Sequence, residues 1–330
     1  MADPKDQAAL VMSSQDLFKL GLDPYLFHQM GRTYEWHGEC PFCGGEDRFL
    51  ISNGMVRCRV CGYGSTYLGL AKKLGAEVDT AEFREAAQNF EQQRKADEQR
   101  NEQERIEKIK ALSSPIQGEK NIAMVYHKNL LRNPMTLIAL EGQGITRQAM
   151  KYFEIGYVDD FRYFHDGAFY SCGGYTFPIY QPGNPDRLMN IRVRLTDPVP
   201  GAGKYRPIQS GLGAGFFVAN FPETRFIVVT EGEKKAIVLW QYGIPAVGLW
   251  GIEVFKPEWI PWFKKSYDEI YICYDRETNE NVMRAQQKIA EQVGGAVVML
   301  PRSGKPDDLL VSGEMTISEF LESLYNARKP

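Results

Sequence analysis

The sequence predicts an α+β chain of several domains: an amino-terminal zinc ribbon, a charged helical linker, and a mixed α/β core that ends in a Rossmann-like parallel sheet. Three observations carry this expectation. Two C-x-x-C pairs lie fourteen residues apart; between Phe90 and Ile106 the only apolar residue is Ala96; and the last third alternates β-branched runs with helical patterns. The boundaries read as 1–75, 76–115, 116–222 and 223–330.

At 330 residues the chain is too long for one ordinary core, and domain size points to about two or three units. With 43% hydrophobic and 25% charged residues it reads as globular, with neither a cationic leader nor an apolar run of membrane-spanning length, so a cytoplasmic protein without a membrane partner is expected. The formal net charge of −3 leaves nucleic-acid binding to local patches. Cys172 and Cys273 stand alone in apolar surroundings, as core thiols of a reducing compartment do.

Residues 13–33 read as helical, and the segment from Tyr34 to Leu74 carries the paired cysteines. In "HGECPFCGGEDRFLISNGMVRCRVCGYGS", Cys40 and Cys43 face Cys58 and Cys61 across a hairpin whose tip reads as Asn53-Gly54. Gly44, Gly45 and Gly62 suit the two knuckle turns. Two tight turns of thiolates can converge on one tetrahedral Zn²⁺; four unrelated thiols or an iron–sulfur cluster fit the two symmetric turns less well. His37 reads as standing at the surface or behind the ligands. A zinc closed by four cysteines has no open position, which points to binding and not catalysis. Arg48, Arg57, Arg59, Lys72 and Lys73 with Phe42, Phe49 and Tyr63 suit contact with a single nucleic-acid strand, and equally a solvated ribbon surface. From Glu82 to Leu112, balanced charges with Glu91/Lys95 and Glu104/Lys108 at i,i+4 spacing predict a solvated helical or partly disordered linker in preference to a partner-binding coiled coil, whose heptads need apolar residues throughout.

In the last third the strands read as 226–230, 246–249, 269–274 and 296–300, and the helices as 233–242, 281–293 and 317–327. Acids stand at or just after the carboxyl ends of these strands: Glu231 after "FIVVT", Asp275 with Glu277 after "EIYICY", and Asp307 with Asp308 after "AVVMLPRSGKP". In a parallel sheet those ends share one edge, where carboxylates converge on a hard divalent ion such as Mg²⁺ that holds substrate phosphates. Taken singly, each acid reads as a helix cap or loop charge. The bases Arg192, Arg194, Lys204, Arg206, Lys234 and Lys235 suit triphosphate and template backbone, or else a solvated strand edge.

The order and content of these segments resemble the bacterial replicative primase family (DnaG type) and its phage and plasmid relatives. "CPFCGGEDRF" with "RCRVCGYGS" resembles the primase zinc-binding domain in its all-cysteine version. "GITRQAMKYFEIGYV", "YTFPIYQ", "NIRVRL" and "GKYRPIQS" follow the first half of the primase core. "TEGEKKAIVLWQYGIPAVGLWG", "YICYDRETN" and "KPDDLL" resemble the three motifs of a Toprim domain. The likeness spans about residues 30–315.

This resemblance implies a DNA-dependent RNA primase, a nucleotidyltransferase making short primers on single-stranded DNA from ribonucleoside triphosphates. Glu231 would stand near the reacting groups. Asp275, Glu277 and Asp307, with Asp308 beside them, would hold Mg²⁺ or Mn²⁺. Arg192, Arg194 and Lys204 would grip nucleotide or template. The sequence departs from the family pattern twice: Glu277 replaces an aspartate without the following glycine, and Lys305 replaces the first of two aspartates. Those departures keep open a catalytically inactive, zinc-dependent DNA-binding relative, and the Toprim motifs alone keep open a nuclease. No G-x-x-x-x-G-K-[ST] motif is present, so unwinding is expected from a separate helicase.

Overall fold

The computed structural model describes residues 14–29, 35–52, 55–76, 80–212, 215–251, 254–276 and 280–327. The chain forms two compact units, residues 1–104 and 105–330.

The first unit begins with helix α1 (Ser14–Lys19). The reading of 13–33 as one helix is corrected here. Gly21 takes a left-handed φ of 80°, Asp23 caps a short turn at Pro24–Leu26, and Phe27–Gln29 is already strand β1. Pro24 has no N–H to continue a helix, and the chain leaves for the sheet. Strands β2 (Trp36–Gly38), β3 (Phe49–Ser52), β4 (Met55–Cys58) and β5 (Gly64–Thr66) complete an antiparallel meander with β1, and helix α2 (Tyr67–Leu74) covers it. Ser52 pairs with Met55, as a hairpin at the expected place requires; Asn53 and Gly54 lie outside the described residues. The unit's core is small: Leu17, Leu20, Phe49, Ile51, Val56, Tyr67 and Leu70 are all but fully buried. Helix α3 (Thr80–Ser113) runs through the linker sequence into the second unit.

The second unit opens with helices α4 (Ile122–Arg132), α5 (Pro134–Glu141) and α6 (Arg147–Tyr152), capped by Asn121, Asn133 and Thr146. An antiparallel meander follows: β6 (Gly156–His165), β7 (Ala168–Gln181), β8 (Asn184–Leu195) and β9 (Tyr205–Pro207). Next come β10 (Phe216–Ala219), β11 (Phe226–Glu231), α7 (Glu233–Gln241), β12 (Ala246–Leu249), α8 (Ile260–Ser266), β13 (Glu269–Ile272), α9 (Glu280–Val293), β14 (Ala296–Val297), α10 (Pro306–Ser312) and α11 (Ile317–Tyr325).

These last strands form one sheet in the order β10-β12-β11-β13-β14, parallel except for β10. Strand β10 had no counterpart in the sequence reading. Alternation along β11 explains the layers: Val228 packs in the cluster of α7, α10 and α11, while Ile227 and Val229 pack with α8 and α9. The strand that follows β11 in the sheet's growth lies on one side of it and β13 on the other, so the chain reverses direction of winding at β11. Its carboxyl end is therefore the crevice where such sheets keep ligands.

Candidate functional site

The four cysteine sulfurs lie within 4.8 Å of one another, the group of metal-ligating type and spacing found among the described residues. Cys40 Sγ is 3.9 Å from Cys61 Sγ, and Cys43 Sγ is 3.6 Å from Cys58 Sγ. A tetrahedral zinc with bonds of about 2.3 Å sets its sulfurs about 3.8 Å apart, so the donor set fits the ion. The backbone N–H groups of Cys61 and Val60 donate to Cys58 Sγ, each at 3.4 Å. Led by the bond from Cys61, they bring the Cys58 thiol down to about 6, whereas desolvation and the neighbouring thiols push Cys43 up to about 12. The four cysteines that spacing predicts stand together as a donor set suited to a structural zinc.

His37 is buried, not at the surface: Nδ1 stands 3.0 Å from Asp47 Oδ1 and Nε2 3.0 Å from Glu35 Oε1. Phe49 is fully buried, so it is a core residue and not a strand contact. Phe42 and Tyr63 do form an outer pair, with ring centroids 4.2 Å apart and Lys73 Nζ 4.6 and 4.5 Å from the two rings. Arg48, Arg57, Arg59 and Lys72 are exposed.

In the second unit, Glu231 ends β11 and is half-buried. Gly232, at φ 83°, makes the turn into α7, and Gly248 on β12 lies so close that a Cβ there would stand 2.4 Å from the Gly232 carbonyl oxygen. Close approach of two backbones thus fixes the Glu231 turn.

Asp275 follows β13 and Asp307 opens α10, so three strand ends of the same sheet do deliver acids to one edge. The lysines of α7 meet them there. Lys235 Nζ is 2.8 Å from Asp275 Oδ1, and Lys234 Nζ is 3.0 Å from Asp307 Oδ2 and 2.8 Å from Asp308 Oδ1. Burial raises the Asp275 carboxyl above its usual range, against the pull of Lys235. Asp308 is lowered by its hydrogen bond from Lys234; burial pulls Lys234 down, but the two aspartates leave it raised. Asp307 is 2% exposed, and its Oδ1 is buried with no hydrogen-bond partner among the described residues. No three described carboxylates gather within metal-ligand spacing. The acids therefore fit one ion held by Asp275 and Asp307 with outside ligands, not a closed cage. Glu277 lies outside the described residues.

The predicted bases divide. Arg192 is buried and committed: Nη1 donates to both Glu233 oxygens at 3.0 and 3.3 Å, Nη2 donates to the Trp250 carbonyl at 3.3 Å, and the guanidinium lies 4.1 Å from the centre of the Tyr205 ring. Arg194 shares its face of β8 and donates to Gln143. Arg206 pairs with Val193, so it points to the opposite face, toward the Tyr163 ring. Lys204 is exposed. Sequence reasoning missed Glu233, Tyr205 and Trp250. Glu233 looked like one more charge in "EGEKK", yet it is 1% exposed; burial raises its carboxyl despite Arg192.

The zinc-binding domain family of primase-helicase matches residues 35–67, and a domain family of unknown function (DUF3854) matches residues 221–300. Comparison with curated proteins gives no match. Among solved structures, the zinc-binding and RNA polymerase domains of Aquifex aeolicus primase align over 99% of this chain and 86% of theirs, at 16% identity and a TM-score of 0.54. The catalytic core of E. coli primase aligns over 62% of this chain and 78% of its own, at 17% identity and a TM-score of 0.50. A DnaG primase catalytic domain bound to single-stranded DNA aligns over 63% and 79%, at 18% identity and a TM-score of 0.50.

Proposed function

We propose that this chain, which has the zinc ribbon and Toprim-containing core fold of DnaG-type primases, is a DNA-dependent RNA primase that makes short RNA primers on single-stranded DNA. The observation that carries the reading is the sheet edge at the switch point, where Glu231 ends β11, Asp275 follows β13, and a buried Asp307 whose Oδ1 accepts no hydrogen bond among the described residues opens α10.

Residues 1–75 would serve as the template-sampling ribbon, 76–115 as the linker, 116–222 as the first part of the core and 223–330 as its Toprim part. Asp275 and Asp307, with Glu277 and Asp308 beside them, would hold Mg²⁺ or Mn²⁺, which when bound lowers the charge on the triphosphate. The 3′-hydroxyl of one nucleotide attacks the α-phosphorus of the next, a P–O bond forms, and pyrophosphate leaves. Glu231 would take the hydroxyl proton, a role general bases fill with gains of about 10²–10⁴-fold. Arg194 and Lys204 would hold phosphates of nucleotide or template. Arg192 would support that face through Glu233 instead of gripping substrate. The exposed arginines of the ribbon with Phe42, Tyr63 and Lys73 suit phosphates and stacked bases of a single strand. A separate helicase would supply the unwound template in the cytoplasm.

The test is primer synthesis from labelled ribonucleotides on single-stranded templates. One observation favours a second reading, an inactive DNA-binding relative: Lys234 and Lys235 already neutralise the aspartates. That reading predicts template binding unaffected by Glu231→Gln and no product under any condition.

A further inference from the structure

The carboxylates of the sheet edge carry their own cations. Lys234 and Lys235 occupy the first turn of α7 and diverge to different partners, Lys234 to the buried Asp307 and the exposed Asp308, and Lys235 to Asp275. The side chains of Lys235 and Asp275 are each 11% exposed, so neither is screened well by water, and each depends on the other's charge. The charge of Lys305 also bears on Asp275 and Asp308. Asp307 Oδ1, on a side chain 2% exposed, accepts no hydrogen bond among the described residues, and the charge of Asp307 in turn acts on Asp275; Asp275 Oδ1 accepts no well-aligned hydrogen bond either, its contact with Lys235 being an ion pair at 2.8 Å.

We infer that Lys235 is a built-in cation of this site: its ammonium stands beside Asp275 and opposes a divalent ion there, so the edge holds one divalent ion weakly, anchored at the free oxygen of Asp307. The inference rests on reading this edge as a nucleotidyl-transfer site. A fixed positive charge a few ångströms away opposes a dication, and no three described carboxylates stand at metal-ligand spacing to offset it. The ion is therefore weakly held by the protein alone and binds well only with the triphosphate, whose oxygens complete its shell. Removing the ammonium frees Asp275 and strengthens binding.

The experiment is Mn²⁺ binding to the full, zinc-loaded chain without nucleotide, followed by the paramagnetic resonance signal of free Mn²⁺. Wild type is expected to bind one Mn²⁺ weakly, and Asp307→Asn to lose it. Lys235→Met should bind Mn²⁺ roughly tenfold more tightly, and Lys235→Arg, which keeps the charge, should match wild type. Equal or weaker binding by Lys235→Met overturns the inference. So does equal tightening in Lys235→Arg, because charge is then not the cause. Lys235→Gln repeats the test if the methionine variant does not fold, and tight binding of two ions by wild type overturns the inference without any variant. Tightened Mn²⁺ binding without primer synthesis would sink the proposed function and leave this inference standing; active synthesis with unchanged Mn²⁺ affinity would do the reverse.

Discussion

At the scale of single residues, the charges at the sheet edge divide into those committed to the fold and those that the proposed function assigns to substrate. Arg192 belongs to the first group. Its side chain is 11% exposed and that of Glu233 is 1% exposed, so Arg192→Met leaves a buried carboxyl without its partner. Breaking such a pair typically costs about 3–5 kcal/mol, and the double variant Arg192→Met/Glu233→Gln should recover part of it; denaturant unfolding of the three variants checks this. Glu231 belongs to the second group, and Glu231→Gln should leave unfolding unchanged. Sequence alone separates these groups poorly. "EGEKK" places five residues at the right turn, but which carboxylate faces the crevice and which faces Arg192 depends on a strand forty residues away. The cysteines were legible because a zinc knuckle is local chemistry, set by spacing of two and by the turn it implies. Asp275 and Asp307 were legible because strand ends in a parallel sheet share an edge. Their pairing with Lys235 and Lys234 was not, since it needs the phase of α7 against two other loops.

At the scale of elements, the β11–α7 turn and the α7–α10 contact hold the site in shape. A Cβ at Gly248 would press on the backbone of Gly232 and Glu233, so Gly248→Ala should destabilise by about 1–3 kcal/mol and displace Glu231. The melting temperature measures the first effect and loss of synthesis the second. Lys234 ties α7 to α10 through Asp308, whose carboxyl is lowered in the folded state. Its contribution is present above the unfolded carboxylate value and is lost as pH falls through the lower folded value. Acid should therefore destabilise wild type more than Asp308→Asn below about pH 4. The helix expected over 13–33 fails for a local reason, the Gly21 and Pro24 breaks, which outweigh the apolar pattern. Strand β10 was missed because "FFVA" is short and its place at the sheet edge comes only from pairing with β12.

At the scale of the whole molecule, a chain of net charge −3 can hold a polyanion only through local basic surface, so template binding should weaken steeply with salt, with a slope set by the few phosphates contacted. Cys58→Ser should lower bound zinc from about one ion per chain. Because the cysteines and the acidic edge belong to separate compact units, the core's melting transition should persist in that variant while template preference is lost. The central claim is nucleotidyl transfer at the edge that Glu231 commands. It is tested most directly by incubating the full chain with single-stranded templates, labelled ribonucleoside triphosphates and Mg²⁺, beside Glu231→Gln. Short RNA products from wild type, reduced by about 10²-fold or more in Glu231→Gln, are the predicted result. Undiminished products from Glu231→Gln, or none from wild type with template binding intact and a helicase supplied, would contradict it.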